Sequence, residues 1–179
     1  VGRMETRNLG LCTIHGVQID TPHRAVRARS EADLVFVNIQ LQNEGARYNG
    51  RREVSIRKGS MILYEAREPY ELDFDGSSES LILALPRLEL QKRVTNLQAH
   101  IEEAIEYDAC NIELLSGLMR GILQTRSNAP QAVRDGMAEA AINLLVAALY
   151  DSPESKAFTP THGVAATLQR IRAFINENI

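Results

Sequence analysis

The sequence predicts an α+β fold, an antiparallel β-barrel followed by a helical region. Residues 11–85 alternate between apolar and polar with period two and are broken by frequent turn signals. After Pro86 the period changes to 3.6. The strands follow one another with no room for crossover helices, so they pair antiparallel, and helices segregated after strands define the class.

The first strand signals are "LCTIHGVQID" (11–20) and "HRAVRAR" (23–29), flanking Thr21-Pro22. "LVFVNIQLQ" (34–42) is the strongest, with Val35, Val37, Ile39 and Leu41 on one face. The Asn-Gly pair in "YNGR" (48–51) marks a hairpin. "EVSI" (53–56), a turn at "RKGS" (57–60) and "MILYEA" (61–66) follow. In "PYELDF" (69–74), Tyr70, Leu72 and Phe74 are placed inward and Glu71 and Asp73 outward. "SLILALP" (80–86) is apolar on both faces, as a strand covered on both sides is. These make about eight short strands, and closing them into a barrel removes unpaired edges and can enclose one small ligand. The barrel is assigned residues 1–86.

The helical region, residues 87–150, holds three periodic segments. Residues 87–105 align Leu90, Val94, Leu97 and Ile101, and residues 111–125 align Leu115, Leu118, Met119 and Ile122. Residues 131–151 follow Pro130, which suits a first helical turn. Here Val133, Met137, Ala140, Leu144 and Ala148 form one stripe, and Ile142, Leu145, Val146 and Leu149 a second. The surface helix of a monomer shows one apolar stripe of about 100°. This helix is therefore expected to have partners on two sides, the helix at 111–125 and a second copy of the chain. Met137, Ala141, Leu144, Leu145 and Ala148 are the candidate homodimer residues, the alanines allowing close approach. The alternative is that the barrel itself covers the second side.

"DSPESKAFTPTHG" (151–163) reads as a linker. Residues 164–179 end in "LQRIRAFINENI", an amphipathic helix with Leu168, Ile171 and Ile175 on one face and nothing in the chain to pack on.

The 179 residues are 44% hydrophobic and 24% charged, an ordinary globular composition. No apolar run reaches the ~18–20 residues of a membrane helix. The net charge of −3 argues against a chain whose own surface grips a nucleic-acid backbone. Two cysteines far apart, Cys12 and Cys110, fit a reducing compartment, hence the cytoplasm, and both read as small buried hydrophobes.

A small antiparallel barrel with "RKGS" before a strand resembles the cupin fold, a double-stranded β-helix. Cupin metal sites use two histidines one residue apart, a carboxylate and a later histidine. His15, His23, His100 and His162 do not follow that spacing, so no metal or other cofactor is assigned. There is no Gly-x-Ser-x-Gly elbow and no phosphate-binding Gly-x-x-x-x-Gly-Lys loop, so no catalytic residue is assigned. What remains is a pocket. Asn38 and Gln40 lie on the strand face opposite Val37 and Ile39, and Tyr64 and Tyr70 offer aromatic bodies with polar tips. Arg24, with Arg27 and Arg29, pairs with the acidic stretch around Glu71 and Asp73, guards an edge strand, or binds a ligand carboxylate. The alternative for each polar group is an ordinary hydrogen bond at the barrel's outer surface or under the helices.

Residues 36–94 closely resemble the amino-terminal domain of a subgroup of AraC-type bacterial transcription regulators. The marks are the polar hairpin after "VNIQLQ", Gly59, "MILYEAREPYELDF", and "ESLILALPRLEL" leading into a helix. The resemblance implies a cupin-like effector-binding barrel, helices that mediate dimerisation, a linker, and a DNA-binding unit of two helix-turn-helix motifs. It implies that 164–179 is the first helix of that unit and that the DNA-reading helices are absent from this chain. Expected partners are a second copy and a small-molecule effector of unknown identity, with DNA reached only through the missing domain. Two rivals stay open: a small metal-independent cupin-like enzyme, and a ligand-free dimerisation barrel.

Overall fold

The alternating segments pair into two facing antiparallel sheets rather than, among the described strands, one continuously hydrogen-bonded cylinder. The computed structural model describes residues 2–48, 53–101, 104–105, 110–125 and 128–150. The first five strands are β1 (Gly2–Asn8), β2 (Thr13–Ile19), β3 (His23–Arg27), β4 (Leu34–Gln42) and β5 (Gly45–Tyr48). The remainder are β6 (Glu53–Ile56), β7 (Met61–Glu65), β8 (Tyr70–Phe74), β9 (Ser78–Pro86) and β10 (Ala104–Ile105). The larger sheet runs β1-β2-β9-β4-β7-β10 and the smaller β3-β8-β5-β6. The helices are α1 (Arg87–Gln91), α2 (Leu97–His100), α3 (Cys110–Gln124) and α4 (Gln131–Tyr150).

The larger sheet is the middle layer of three, and that explains why β4 and β9 are buried on both faces at most positions. One face of these strands offers Val35, Val37, Ile39, Leu81, Leu83 and Leu85 to Leu115, Met119, Ile122, Ile142 and Leu145 of α3 and α4. The other face offers Phe36, Ile62, Tyr64 and Ala84 to Val54, Ile56, Tyr70, Leu72 and Phe74 of the smaller sheet. Two cores therefore share one sheet. As expected, Tyr70, Leu72 and Phe74 point inward and the residues between them do not.

The "RKGS" turn forms as read. Gly59 takes φ +83°, a conformation that favours glycine. Ser60 closes the turn, its hydroxyl donating to the Arg57 carbonyl at 2.7 Å and accepting from the Arg57 N–H at 3.0 Å. The Asn-Gly turn at 49–50 lies outside the described residues, but the strands on either side pair antiparallel, Tyr48 opposite Glu53.

Three features differ from expectation. β1 is polar at most positions and carries no clear alternation, yet it pairs with β2 from Gly2–Ile19 through to Asn8–Thr13. The stretch 87–105 is not one helix, because Asn96 adopts a left-handed φ of 57° and separates α1 from α2. Its stripe of Leu90, Val94, Leu97 and Ile101 is buried all the same. The chain then runs on as β10, which pairs with β7. The linker at 151–163 and the helix at 164–179 lie outside the described residues.

Candidate functional site

Alternation along β4 decides what faces the space between the sheets. With Val35, Val37 and Ile39 committed to the helices, Phe36, Asn38 and Gln40 point the other way. Cross-strand partners share a face, so Phe36 stands beside Tyr64 and Ala84, Asn38 beside Ile62 and Ile82, and Gln40 beside Ser80. The smaller sheet covers this row with Tyr70, Leu72 and Phe74.

The aromatic groups gather at one end. The Phe36 and Tyr64 rings lie 5.6 Å apart, and Tyr70 meets Tyr64 edge-on at 4.6 Å. The Arg27 guanidinium stands 4.6 Å from the centre of the Phe36 ring. Toward the other end, His23 stacks on Phe74 at 4.9 Å. The Thr21 carbonyl, 2.9 Å from His23 Nδ1, can only accept, so Nδ1 carries the proton and Nε2 accepts from the Ser78 hydroxyl at 3.3 Å.

Between these ends sit two amides. Asn38 is 2% exposed and Gln40 0%. The Gln40 side chain donates from Nε2 to the Gln42 carbonyl at 2.7 Å. Its own carbonyl oxygen, Oε1, and that of Asn38, Oδ1, are buried without a hydrogen-bond partner. A buried acceptor left unmet costs about 1–3 kcal/mol.

Of the pocket residues expected from the sequence, Tyr64 and Tyr70 meet at the aromatic end of the inter-sheet face, and Asn38 and Gln40 lie further along the same face of β4. Arg24 is corrected: it lies on the outer face of β3, an edge strand, paired in register with Asp73 and forming an ion pair with Glu71. Arg27, one turn of the pleat further along and opposite Tyr70, is the β3 arginine that reaches the interior side. The apolar Val26 obscures this in the sequence, because it is an outward residue, 67% exposed.

The expected dimer residues divide. Ala141, Leu145 and Ala148 are fully buried in the chain's own core and are corrected to core positions, since α4 turns the stripe Ala138, Ala141, Ile142, Leu145, Ala148 and Leu149 onto the larger sheet and α3. Met137 and Leu144 are only half-buried, and Val133 is 45% exposed.

His15 is half-buried beside Thr6, its Nδ1 3.0 Å from the Thr6 hydroxyl, and burial lowers its pKa. Burial, with the Glu139 carboxylate adding to it, pushes the Cys12 thiol up to about 11. Among the described residues, no group of three His, Cys, Asp or Glu side chains could hold a metal ion, and no helix is long and apolar enough to cross a membrane. A cleft of about 210 Å³ lies elsewhere, between β1-β2-β9 and α3, rimmed by Arg3, Glu5, Glu79 and Arg120.

The fold has counterparts among solved structures. The structure is similar to the crystal structure of the AraC-like transcriptional activator CuxR, with a TM-score of 0.69 and 15% identity over 90% of this chain. The chain spans 59% of that activator's length. Similarity to an RmlC-like cupin protein from Desulfovibrio desulfuricans covers 48% of this chain and 82% of the other, at TM-score 0.42 and 13% identity. A cupin superfamily protein from Desulfitobacterium hafniense matches 48% of this chain and 78% of its own, at TM-score 0.43 and 10% identity. No curated protein sequence matches significantly. The AraC-binding-like domain family matches residues 1–150, all of both sheets and all four helices, and the chain belongs to that family, the regulatory ligand-binding domains of AraC-type regulators.

Proposed function

We propose that this chain senses a small effector between its two sheets and forms a homodimer through its helices, with DNA bound by a further domain of the same regulator. The single observation that carries the sensing half is the pair of buried, unpartnered amide carbonyls, Asn38 Oδ1 and Gln40 Oε1, set in an apolar and aromatic interior. A small-molecule site has that make-up, a mostly apolar wall with a few placed polar groups. The dimer half is supported by the apolar residues that α3 and α4 leave exposed, Leu114 and Val133, with Met137 and Leu144 half-buried at the edge of the core. Gly117 and Gly121 of α3 have open space above them, which suits close approach by another helix.

Effector would act by binding more tightly to one of two arrangements of the regulator, since a ligand shifts an equilibrium only by its differential affinity. The test is a thermal-shift screen of the chain against small organic acids, amides, amines and polyols. One or more compounds are expected to raise the melting temperature with a saturable dose dependence. No stabilisation by any compound class, with an interior closed to all of them, would leave the domain as a dimerisation module without an effector.

A further inference from the structure

We infer that the effector is recognised as a hydrogen-bond donor, a neutral or cationic compound whose hydroxyl, amide N–H or amine groups reach the carbonyls of Asn38 and Gln40 together. The inference rests on the sensing role proposed above and names its chemistry. Every other polar group of Gln40 is engaged. Its backbone N–H donates to the Ser60 carbonyl at 3.0 Å, its carbonyl accepts from Gly59 at 2.7 Å, and its side-chain Nε2 is held by the Gln42 carbonyl. Only Oε1 is left over, and it is an acceptor. Asn38 Oδ1 is a second acceptor on the same face of the same strand. Residues two apart on a strand stand about 7 Å apart, a span that one small molecule bridges.

Two acceptors side by side select against anions. A carboxylate placed here would set its own lone pairs against the Gln40 carbonyl oxygen, whose amide nitrogen is already held by the Gln42 carbonyl, and be desolvated as well. Arg27 stacks on Phe36, which lies two β4 residues from Asn38 and four from Gln40, about 7 and 13 Å along the strand, so its charge sits at the aromatic end and away from Gln40. Ile62, Ile82 and Leu72 flank the amides and suit a carbon frame between the donor groups. An apolar residue at position 38 would fill a buried strand with no unmet group. Keeping an amide there costs stability in the empty domain, as binding groups do when their partner is a ligand.

The test compares the wild-type chain with Asn38→Leu by thermal unfolding, alone and with matched probes. Benzamide is set against benzoate, and glutaramide against glutarate, so that the carbon frame is constant and only donor or anion changes. Xylitol and 1,5-diaminopentane extend the donor set. Without ligand, Asn38→Leu is expected to melt at or above the wild type, by up to about 2–4 °C. At least one donor probe is expected to raise the wild-type melting temperature by about 2 °C or more, its matched carboxylate to do nothing, and the variant to lose the shift. Should leucine prevent folding, Asn38→Ala must lose the shift while keeping the fold. A folded variant that melts below the wild type without ligand, or one that keeps the full shift, overturns the inference. Stabilisation by carboxylates alone overturns donor recognition and leaves effector sensing standing. Silence from the whole panel overturns donor recognition at these amides, and the broader screen above decides sensing itself.

Discussion

Arg93 holds Glu139 with both of its terminal nitrogens, at 2.8 and 2.9 Å, and so ties the segment after α1 to the middle of α4. Tyr150, three turns further along α4, adds to the same junction: its hydroxyl donates to the Arg93 carbonyl and accepts from the Thr95 N–H, both at 3.3 Å. The tie sits just before Asn96, where the chain reverses its helical path.

The Arg93 hydrogen bonds, and after them its charge, hold the Glu139 carboxyl below the ordinary carboxylate range. The folded state then binds a proton less readily than the unfolded chain. The contribution to stability is complete above the ordinary carboxylate range and is lost as pH falls through the lowered value. Glu139→Gln removes that part alone. Melting temperatures of wild type and variant should differ most at pH 7 and converge toward pH 3. A gap independent of pH would show that the pair contributes nothing through charge.

Gly45 is predicted to be intolerant of any side chain. It stands opposite Ile56 in the smaller sheet, and a Cβ there would overlap the Phe74 ring and come within 2.8 Å of the Asp73 carbonyl oxygen. Phe74 has little room to retreat, because His23 stacks on it. Gly45→Ala should cost about 1–3 kcal/mol, as overpacking does. Urea unfolding measures it, and a change within about 0.5 kcal/mol, the range of a neutral surface substitution, would mean that the ring moves freely.

Cys12 is predicted to be inert in the native chain. It is buried, and its thiol is raised to about 11, so at pH 8 almost none is thiolate, the form that reacts. In a Cys110→Ser background, iodoacetamide should label Cys12 only as fast as the domain opens, and within minutes in denaturant. Rapid labelling of folded protein would place Cys12 at an accessible surface.

Much of this architecture is legible in the sequence, and the misreadings share a physical cause. Period two reports which residues share a face, not which face is the interior. For β8 the apolar set settled it. For β3 the set Arg24 and Val26 competed with His23, Ala25 and Arg27, and only pairing with Tyr70, Leu72 and Phe74 decides that the second set faces in. On β4 both faces are buried, so Asn38 and Gln40 stand out as polar residues in a covered strand. β1 escaped because its polar residues are held by a ladder to β2 and not by apolar burial. The stripe Leu90, Val94, Leu97 and Ile101 is buried as its spacing predicts but does not lie on one helix, since a single left-handed Asn96 breaks a helix without disturbing the spacing of its apolar residues. In α4 two apolar stripes were visible, but which one meets the sheet is a tertiary fact.

That last ambiguity yields the sharpest prediction. Leu144 and Leu145 are adjacent in α4 and chemically identical, yet Leu145 is fully buried in the core with Ile142 and Leu149, while Leu144 is half-buried at its edge. Leu145→Glu puts an unpaired carboxylate into that core and should cost more than about 4 kcal/mol, enough to unfold a domain of ordinary stability. Leu144→Glu should leave the chain folded, with a loss under about 2 kcal/mol. In the proposed dimer it sets two like charges into an apolar contact, and the dissociation constant should rise at least tenfold, about 1.4 kcal/mol. Circular dichroism reads the first effect and sedimentation at micromolar concentration the second. A folded Leu145→Glu would show that α4 can turn its other stripe to the sheet. A Leu144→Glu chain with wild-type mass and affinity would move the dimer contact off this helix.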